Sequence, residues 1–257
     1  MKSARGISVE MARVDRFGPQ GDRRYMLVGP DGDFVTQRRV PALAHLVVTP
    51  TNQGLALEFQ GQTHRVRTPL ASAPRRAVTI WGESVQAVAV DSTTSSWLSG
   101  LLSIDAALVY MPDDVRRSVD PRFATDSDTV GFADGFSFLL IGQSSLDALN
   151  ARLDHPVGMD RFRPNLVIAD SAPFAEDGWS RIAIGDLVFD VVKPCARCVM
   201  TTVDPSTGRF AGPEPLKTMA SFRRIRAPHS NEVYFGQNLV HRSSGVLKVG
   251  DRVRVLA

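Results

Sequence analysis

The hydrophobic residues in the first ninety or so positions occur in short runs separated by turn-forming residues. Residues 25–28 and 34–36 flank the sequence Gly-Pro-Asp-Gly-Asp, which predicts a hairpin. Residues 46–49 and 55–59 flank Thr-Asn-Gln-Gly and predict a second hairpin. Two further strands are predicted at 63–67 and 77–80. Several short strands at this spacing indicate a small barrel or sandwich.

A polar stretch at 91–96 separates this region from the rest of the chain. We place the domain boundary there, with domains at 1–92 and 93–257, and we expect a short apolar helix at 97–102. A second helix is predicted at 145–153, where leucines recur at helical spacing after a capping box that begins with Ser144. Strands are predicted at 107–111, 138–141, 165–169, 181–184, 187–192, 199–203, 233–235 and 252–256, with a hairpin loop at 204–208. The chain is therefore expected to be mostly β with a few helices.

The composition is that of an ordinary globular protein, with 43% hydrophobic and 22% charged residues among 257. No run approaches the roughly 18 apolar residues of a membrane helix, and the first residues contain no apolar signal segment, so we expect a cytoplasmic protein without a membrane partner. The net charge is +3, but the arginines are scattered among acidic residues and only three tyrosines and three tryptophans are present for base stacking. We therefore expect no nucleic-acid partner.

The two cysteines, Cys195 and Cys198, lie in the segment Lys-Pro-Cys-Ala-Arg-Cys. A thioredoxin-like pair would place the first cysteine at a helix N-terminus, whereas strands are predicted on both sides. A structural zinc site needs four ligands, and the histidines show no ligand spacing; these are His45, His64, His155, His229 and His241. Two structural cysteines remain possible, as does one thiolate bound to a soft transition metal, which Arg197 would favour. The residues by themselves leave these alternatives open.

The cysteine segment resembles the Arg-Pro-Cys-x-Arg-Cys signature of the MOSC family, which is named after the C-terminal domain of molybdenum cofactor sulfurases. Other blocks resemble the family in the expected order: Lys2-Ser3 with Gly6, 21–23 and 36–38 at the N-terminus, then 132–141 with 145–150, 161–167, and 233–238. The resemblance covers essentially the whole chain. It implies a small N-terminal β-barrel-like domain packed on a MOSC β-barrel domain, and within the family the chain is similar to the amidoxime-reducing components and their bacterial relatives.

The resemblance also implies roles for individual residues. Cys198 matches the ligand of molybdenum in a molybdenum–pterin cofactor, and Lys2, Ser3 and Arg23 match residues that hold the pterin phosphate. The residues that match the lining of the cofactor site are Asp134, Arg163, Ala196 and Arg197, with Asn165 in the same block, and Asp134 could also orient the substrate.

Plainer interpretations exist for three of these residues and for Cys195. Asp134 could be a turn residue in an Asp-Gly pair, and Arg163 could form a surface salt bridge. Arg23 could pair with Asp22 or Asp31 at the surface, and Cys195 is expected to be structural rather than catalytic.

The activity that the resemblance implies is the reduction of N-hydroxylated compounds by oxygen-atom transfer at molybdenum. Two cysteines cannot ligate an iron–sulfur cluster, and the chain ends just after its last predicted strand, so electrons are expected from a separate flavin or iron–sulfur protein. We expect a monomer. The alternative is a non-catalytic carrier of a persulfide sulfur or of the molybdenum cofactor.

The chain departs from the family pattern in two places. Relatives have a short strand ending in Pro-Val before the Lys-Ser pair, whereas this chain begins at Met1. Either the start codon was assigned too late or this strand is lost. If the strand is lost, Lys2 and Ser3 are expected on a frayed terminus, with weaker binding of phosphate. Ser137 stands where the family has proline, which is expected to change only the local rigidity.

Overall fold

The computed structural model describes residues 1–227 and 230–257. His229, one of the histidines without ligand spacing, lies outside the described residues. The protein is mostly β, as predicted, and the described residues contain three α-helices. The strands up to residue 110 are β1 (Met11–Asp15), β2 (Gly18–Pro19), β3 (Tyr25–Val28), β4 (Val47–Thr51), β5 (Gly54–Phe59), β6 (Gln62–Arg67), β7 (Arg75–Ile80), β8 (Glu83–Ala89) and β9 (Ala107–Tyr110).

The strands after residue 110 are β10 (Phe138–Gly142), β11 (Leu166–Ile168), β12 (Arg181–Ile184), β13 (Leu187–Arg197), β14 (Val203–Asp204), β15 (Arg209–Phe210), β16 (Arg224–Ala227), β17 (Ser230–His241), β18 (Gly245–Lys248) and β19 (Val253–Val255). The α-helices are α1 (Ser92–Leu102), α2 (Gln143–Asn150) and α3 (Leu216–Phe222), and short 3-10 helices span Pro41–His45, Met159–Arg161, Ala175–Gly178 and Val199–Thr202. Among the described residues, no helix has the length and apolar character needed to cross a bilayer.

The N-terminal strands form two antiparallel sheets, with strand orders β4-β5-β6 and β3-β9-β8-β7. Leu55, Leu57 and Phe59 of β5 are buried at alternate positions, as the period of two in a half-buried strand requires. They pack with α1 and the 3-10 helix Pro41–His45 in one hydrophobic cluster. The predicted hairpin after β3 is present as an antiparallel bridge between Val28 and Phe34.

The C-terminal part is built on a larger sheet of order β11-β10-β17-β13-β12-β19, with β16 also paired to β17. Alternate residues of β10 face two different hydrophobic clusters: Phe138 and Leu140 lie in one, Leu139 and Ile141 in the other. Both faces of this strand are therefore covered, which explains its unbroken apolar sequence.

Three strand pairings link regions on either side of residue 92. Strand β1 pairs with β18 near the other end of the chain, and β9, which we had placed in the second unit, pairs with β3 and β8 of the first. The position of the domain boundary stays a prediction.

Three local predictions were wrong. Residues 199–202 form a 3-10 helix rather than a strand, because the carbonyl oxygen of Cys198 accepts hydrogen bonds from the backbone N and Oγ1 of Thr201, both at 3.0 Å. Helix α2 begins after Gly142 without a side-chain cap. The predicted capping residue, Ser144, lies within the helix, and its Oγ is 3.3 Å from Ser171 Oγ. The Gly142 amide at the start of the helix donates instead to buried Glu176 Oε1 at 3.0 Å. The helix also ends at Asn150 rather than at residue 153.

Candidate functional site

An open cavity of about 150 Å³ lies where the start of the chain, the end of β13 and the loops before β10 and β11 meet. All nine residues predicted for the site line this cavity: Lys2, Ser3, Arg23, Asp134, Arg163, Asn165, Ala196, Arg197 and Cys198. The structure therefore brings together segments that are separated by more than a hundred residues in the sequence. The roles of these residues stay predictions at this point.

The end of β13 places both cysteines at the cavity. Its pairing with β17 is interrupted by register shifts on both sides of Pro194, which has no amide hydrogen to contribute to the ladder. Such bulges bend a strand and change the direction of its side chains. Cys195 lies in this irregular part, and Cys198 follows the strand directly, at the start of the 3-10 helix Val199–Thr202.

Each thiol contacts its own guanidinium. Arg38 Nη2 donates to Cys198 Sγ at 3.1 Å, and Arg197 Nη1 donates to Cys195 Sγ at 2.9 Å. Cys195 also packs against the hydrophobic cluster that contains Leu139, which agrees with a structural role for this cysteine. It lies within a strand, whereas a thioredoxin-like pair needs it at a helix N-terminus. Among residues 1–227 and 230–257, no group of three or more His, Cys, Asp or Glu side chains is arranged to hold a metal ion.

Lys2 is buried rather than frayed, contrary to the expectation for a lost strand. Its backbone amide donates to Tyr25 O at 2.8 Å, and its Nζ donates to Phe132 O at 2.9 Å and to the carboxylate of Asp134. Burial lowers the pKa of Lys2, and the charge of Asp134 opposes this effect. The backbone of Ser3 is held in the same way, since Gln37 Nε2 donates to Ser3 O at 2.7 Å.

Asp134 is more than a turn residue. Its side chain faces the open cavity and is 64% exposed there. The cavity itself is enclosed by protein on several sides. Enclosure by the protein raises the pKa of Asp134, but the charge of Lys2 and hydrogen bonds from Lys2 and Trp81 outweigh this and bring the pKa to about 2. Asp134 is therefore a carboxylate at neutral pH.

The replacement Asp134→Asn is expected to reduce stability by an amount that depends on pH. Because the folded-state pKa of about 2 is below the ordinary 3.8, the contribution of Asp134 is complete above pH 4 and is lost as the pH falls towards 2. Urea unfolding of both proteins at several pH values measures this difference. A difference that stays constant from pH 7 to pH 2 would contradict the ionic origin of the contribution.

The loop that carries Asp134 is held by Arg117, a buried arginine that the sequence did not single out. Arg117 Nη1 donates to Gly131 O at 3.2 Å and Ala133 O at 2.6 Å, and Nη2 donates to Asp134 O at 3.0 Å. Its Nε donates to Glu83 Oε2 at 2.5 Å. One side chain thus satisfies three carbonyl groups of the loop, which holds its backbone in place.

Arg23 pairs with Asp22, as the plainer interpretation proposed, but the pair lies at the cavity rather than at the outer surface. Asn165 Nδ2 donates to Asp22 Oδ2 at 3.0 Å, and Asn165 Oδ1 accepts from the Leu139 amide at 3.1 Å. Both ends of the Asn165 amide are therefore engaged with protein. This residue positions the Asp22–Arg23 pair instead of presenting free groups to the cavity.

Arg163 has no carboxylate partner among the described residues; its Nη1 donates to the carbonyl of Ala4. Burial and the neighbouring charge of Arg23 lower the pKa of Arg163 to about 10, so it is still charged at neutral pH. The surface salt bridge proposed as the plainer interpretation is not formed.

Three of the lining residues have left-handed backbone conformations: Ser3 with φ 63°, Arg23 with φ 48° and Arg163 with φ 58°. Such conformations cost a non-glycine residue of the order of 1 kcal/mol or more and concentrate at functional sites. Three of them around one cavity support the interpretation of this cavity as the functional site.

The cavity fits an anionic group. Of the described residues that line it, five are cationic and one is a carboxylate; the cations are Lys2, Arg23, Arg161, Arg163 and Arg197. Arg197 Nε is buried without a hydrogen-bond partner within the described part of the chain, although its Nη2 donates to Phe162 O at 2.6 Å. An unpaired buried donor costs about 1–3 kcal/mol, which an acceptor on a bound ligand would offset. A thiol beside these cations suits a metal-bearing, phosphorylated ligand.

Sequence reasoning missed three residues around the cavity: Arg38, Trp81 and Arg161. Arg38 belongs to one of the family-like blocks but received no role. Trp81 lies at the tip of the β7–β8 hairpin with φ 53°. The Trp-Gly pair directly after a predicted strand could have drawn attention to this residue. Arg161 lines the cavity and is paired at 3.5 Å with Asp204.

Two family models match the chain: the MOSC N-terminal beta barrel domain at residues 1–105 and the MOSC domain at residues 127–254. The chain belongs to the MOSC family, in the form that carries both domains. Its relatives include mitochondrial amidoxime-reducing component 1 of Mus musculus, which is 32% identical over 100% of this chain and 79% of the mouse protein, and that of Danio rerio, also 32% identical over 98% and 81%. The molybdenum cofactor sulfurase of Oryza sativa is 29% identical over 87% of this chain and 30% of its own length.

Proposed function

We propose that this protein binds a molybdenum–pterin cofactor through Cys198 and reduces N-hydroxylated compounds. The observation that carries the proposal is the position of the Cys198 thiol in a cavity whose lining has an excess of positive charge. Thiolates bind soft metals, and clustered cations bind phosphate. The similarity to amidoxime-reducing components supports the reaction class.

Different residues would hold the metal and the phosphate of the cofactor. Cys198 would bind molybdenum, and Lys2, Ser3 and Arg23 would hold the phosphate. Arg163 and Arg197 contribute further charge, and Arg197 Nε is a donor without a partner among residues 1–227 and 230–257. Ala196 lies between the two cysteines. When bound, the cofactor supplies the two-electron reduction that removes the substrate oxygen.

The protein itself would orient the substrate. The pKa of Asp134 is about 2, so its side chain is ionised and can only accept hydrogen bonds at neutral pH. An ionised carboxylate at the cavity mouth suits the N–H groups of amidoximes and hydroxylamines. Lys2 holds this carboxylate in place through Nζ, and Trp81 Nε1 donates to it at 3.2 Å.

We further propose that electrons come from a separate flavin or iron–sulfur protein and that the protein acts as a cytoplasmic monomer without nucleic-acid or membrane partners. We also propose that the boundary between the two domains lies near residue 92.

Turnover with different reductants tests the proposed function. Protein from a host that makes the cofactor is expected to reduce hydroxylamine and benzamidoxime when reduced methyl viologen is supplied, because viologen replaces the missing donor. NADH by itself is expected to support no turnover, and cofactor-free protein serves as the control. Rapid reduction with NADH by the pure protein would disprove the need for a donor, and bound molybdenum without turnover would favour the carrier function.

A further inference from the structure

The contact between Arg38 and Cys198 joins the two domains at the candidate metal ligand. Arg38 lies in the region that matches the N-terminal barrel domain, and Cys198 lies in the MOSC domain. The two residues are 160 positions apart, and Arg38 Nη2 donates to Cys198 Sγ at 3.1 Å. Within the described part of the chain, none of the residues proposed to bind the cofactor donates a hydrogen bond to this sulfur, whereas Arg38, which was assigned no role, does so.

We propose that Arg38 is a positioning residue that tunes the metal through the Cys198 sulfur. This inference depends on the proposed function only for the presence of the cofactor. A guanidinium that donates to a metal-bound thiolate withdraws electron density from the sulfur, so the sulfur donates less to the metal and the reduced metal is favoured. Arg38 is suited to this because its charge is permanent and its donors are rigidly planar.

Trp81 holds Arg38 in place for this contact. The guanidinium carbon of Arg38 lies 5.0 Å from the centre of the Trp81 ring, within the range of a cation–π interaction. The ring is fixed in turn by Phe34, at a centroid distance of 5.0 Å, and by the hydrogen bond from its Nε1 to Asp134.

The backbone of Trp81 supports a functional reason for its position. Its φ of 53° is unfavourable for a bulky residue, and its side chain is 49% exposed, so it contributes little to the core. The same indole therefore contacts both Arg38, which donates to the Cys198 sulfur, and Asp134, whose carboxylate faces the cavity.

The experiment measures the reduction potential and the absorption of the bound metal in the absence of substrate. Wild-type protein, Arg38→Met and Trp81→Ala are purified with molybdenum bound and titrated electrochemically, while absorption follows the thiolate-to-metal charge-transfer band. Arg38→Met is expected to raise the ratio of oxidised to reduced metal about tenfold at a fixed potential, a shift of about 30 mV for a two-electron couple. The band is expected to move to lower energy, because the sulfur becomes the better donor. Trp81→Ala is expected to shift both quantities in the same direction by a smaller amount.

Arg39→Met is the matched control, since Arg39 is the next arginine in the chain and is exposed. It is expected to behave as the wild type does. An unchanged potential and absorption band in molybdenum-bound Arg38→Met would overturn the proposal. If Arg38→Met does not bind molybdenum, unchanged values in molybdenum-bound Trp81→Ala would overturn it instead. If both variants fail to bind molybdenum while Arg39→Met binds it, the pair is needed for binding itself and the tuning role is wrong. A wild-type protein that takes up no molybdenum would instead disprove the proposed function.

Discussion

Cys198→Ser is expected to lose its bound molybdenum, whereas Cys195→Ser keeps it. A serine hydroxyl stays protonated and is a hard ligand, so it cannot replace a thiolate on a metal that accepts soft donors. Changes even to groups around a ligand lower metal affinity or activity roughly 10–100-fold, so loss of the ligand itself should lower the reductase activity by at least about 100-fold.

The measurement is the molybdenum and pterin content per chain after purification from a host that makes the cofactor. Cys195→Ser is a close control, because the two cysteines line the same cavity and each accepts a hydrogen bond from an arginine. Molybdenum that disappears in Cys195→Ser and persists in Cys198→Ser would show that the ligand is the other cysteine. Equal molybdenum in both variants would mean that neither thiol binds the metal.

Gly236→Ala is expected to destabilise the fold more than any other single methyl addition near the site. Gly236 has φ 78°, and a Cβ at this position would lie 2.6 Å from Ile141 Cγ1 and 2.7 Å from Leu140 O in the neighbouring strand β10. Overpacking costs about 1–3 kcal/mol and a left-handed alanine about 1–2 kcal/mol, so we expect a loss of about 3 kcal/mol. For a protein of this size the corresponding fall in Tm is roughly 10 °C.

Thermal unfolding followed by circular dichroism measures this effect. Gly100→Ala provides the control, since Gly100 lies in α1 and nothing is within 4 Å of its added methyl group. Alanine favours a helix over glycine by up to about 1 kcal/mol, so Tm should hold or rise. A Tm for Gly236→Ala equal to that of the wild type would show that β17 can shift away from β10 without cost.

The elements that the sequence predicted well are those in which the pattern itself has a structural cause. In β5 the alternation of Leu55, Leu57 and Phe59 follows the pleat of a strand with one buried face. Nine of the cavity residues were also accessible from the sequence, because they lie in short blocks that resemble the MOSC family, and all nine line one cavity.

The local errors arose where particular hydrogen bonds override a sequence pattern, with a distant group in one case and with a neighbouring residue in the other. The sequence around Ser144 is that of a capping box, but buried Glu176 lies against the same turn and takes the Ser145 hydroxyl and the Gly142 amide. Residues 199–203 have the composition of a strand, yet the Cys198 carbonyl closes a turn with Thr201. Propensity is a weak preference, and single hydrogen bonds of this kind override it.

By itself the sequence determined the mostly β fold, the family and nine of the residues around the cavity, because periodicity and short motifs are properties of neighbouring residues. The tertiary structure alone decided which partner each residue has: Arg38 for Cys198, Lys2 and Trp81 for Asp134, and Arg117 for the loop that carries Asp134. These contacts join positions from 17 to 160 residues apart. Such pairings depend on how the sheets pack against one another, and no local pattern in a single sequence records them.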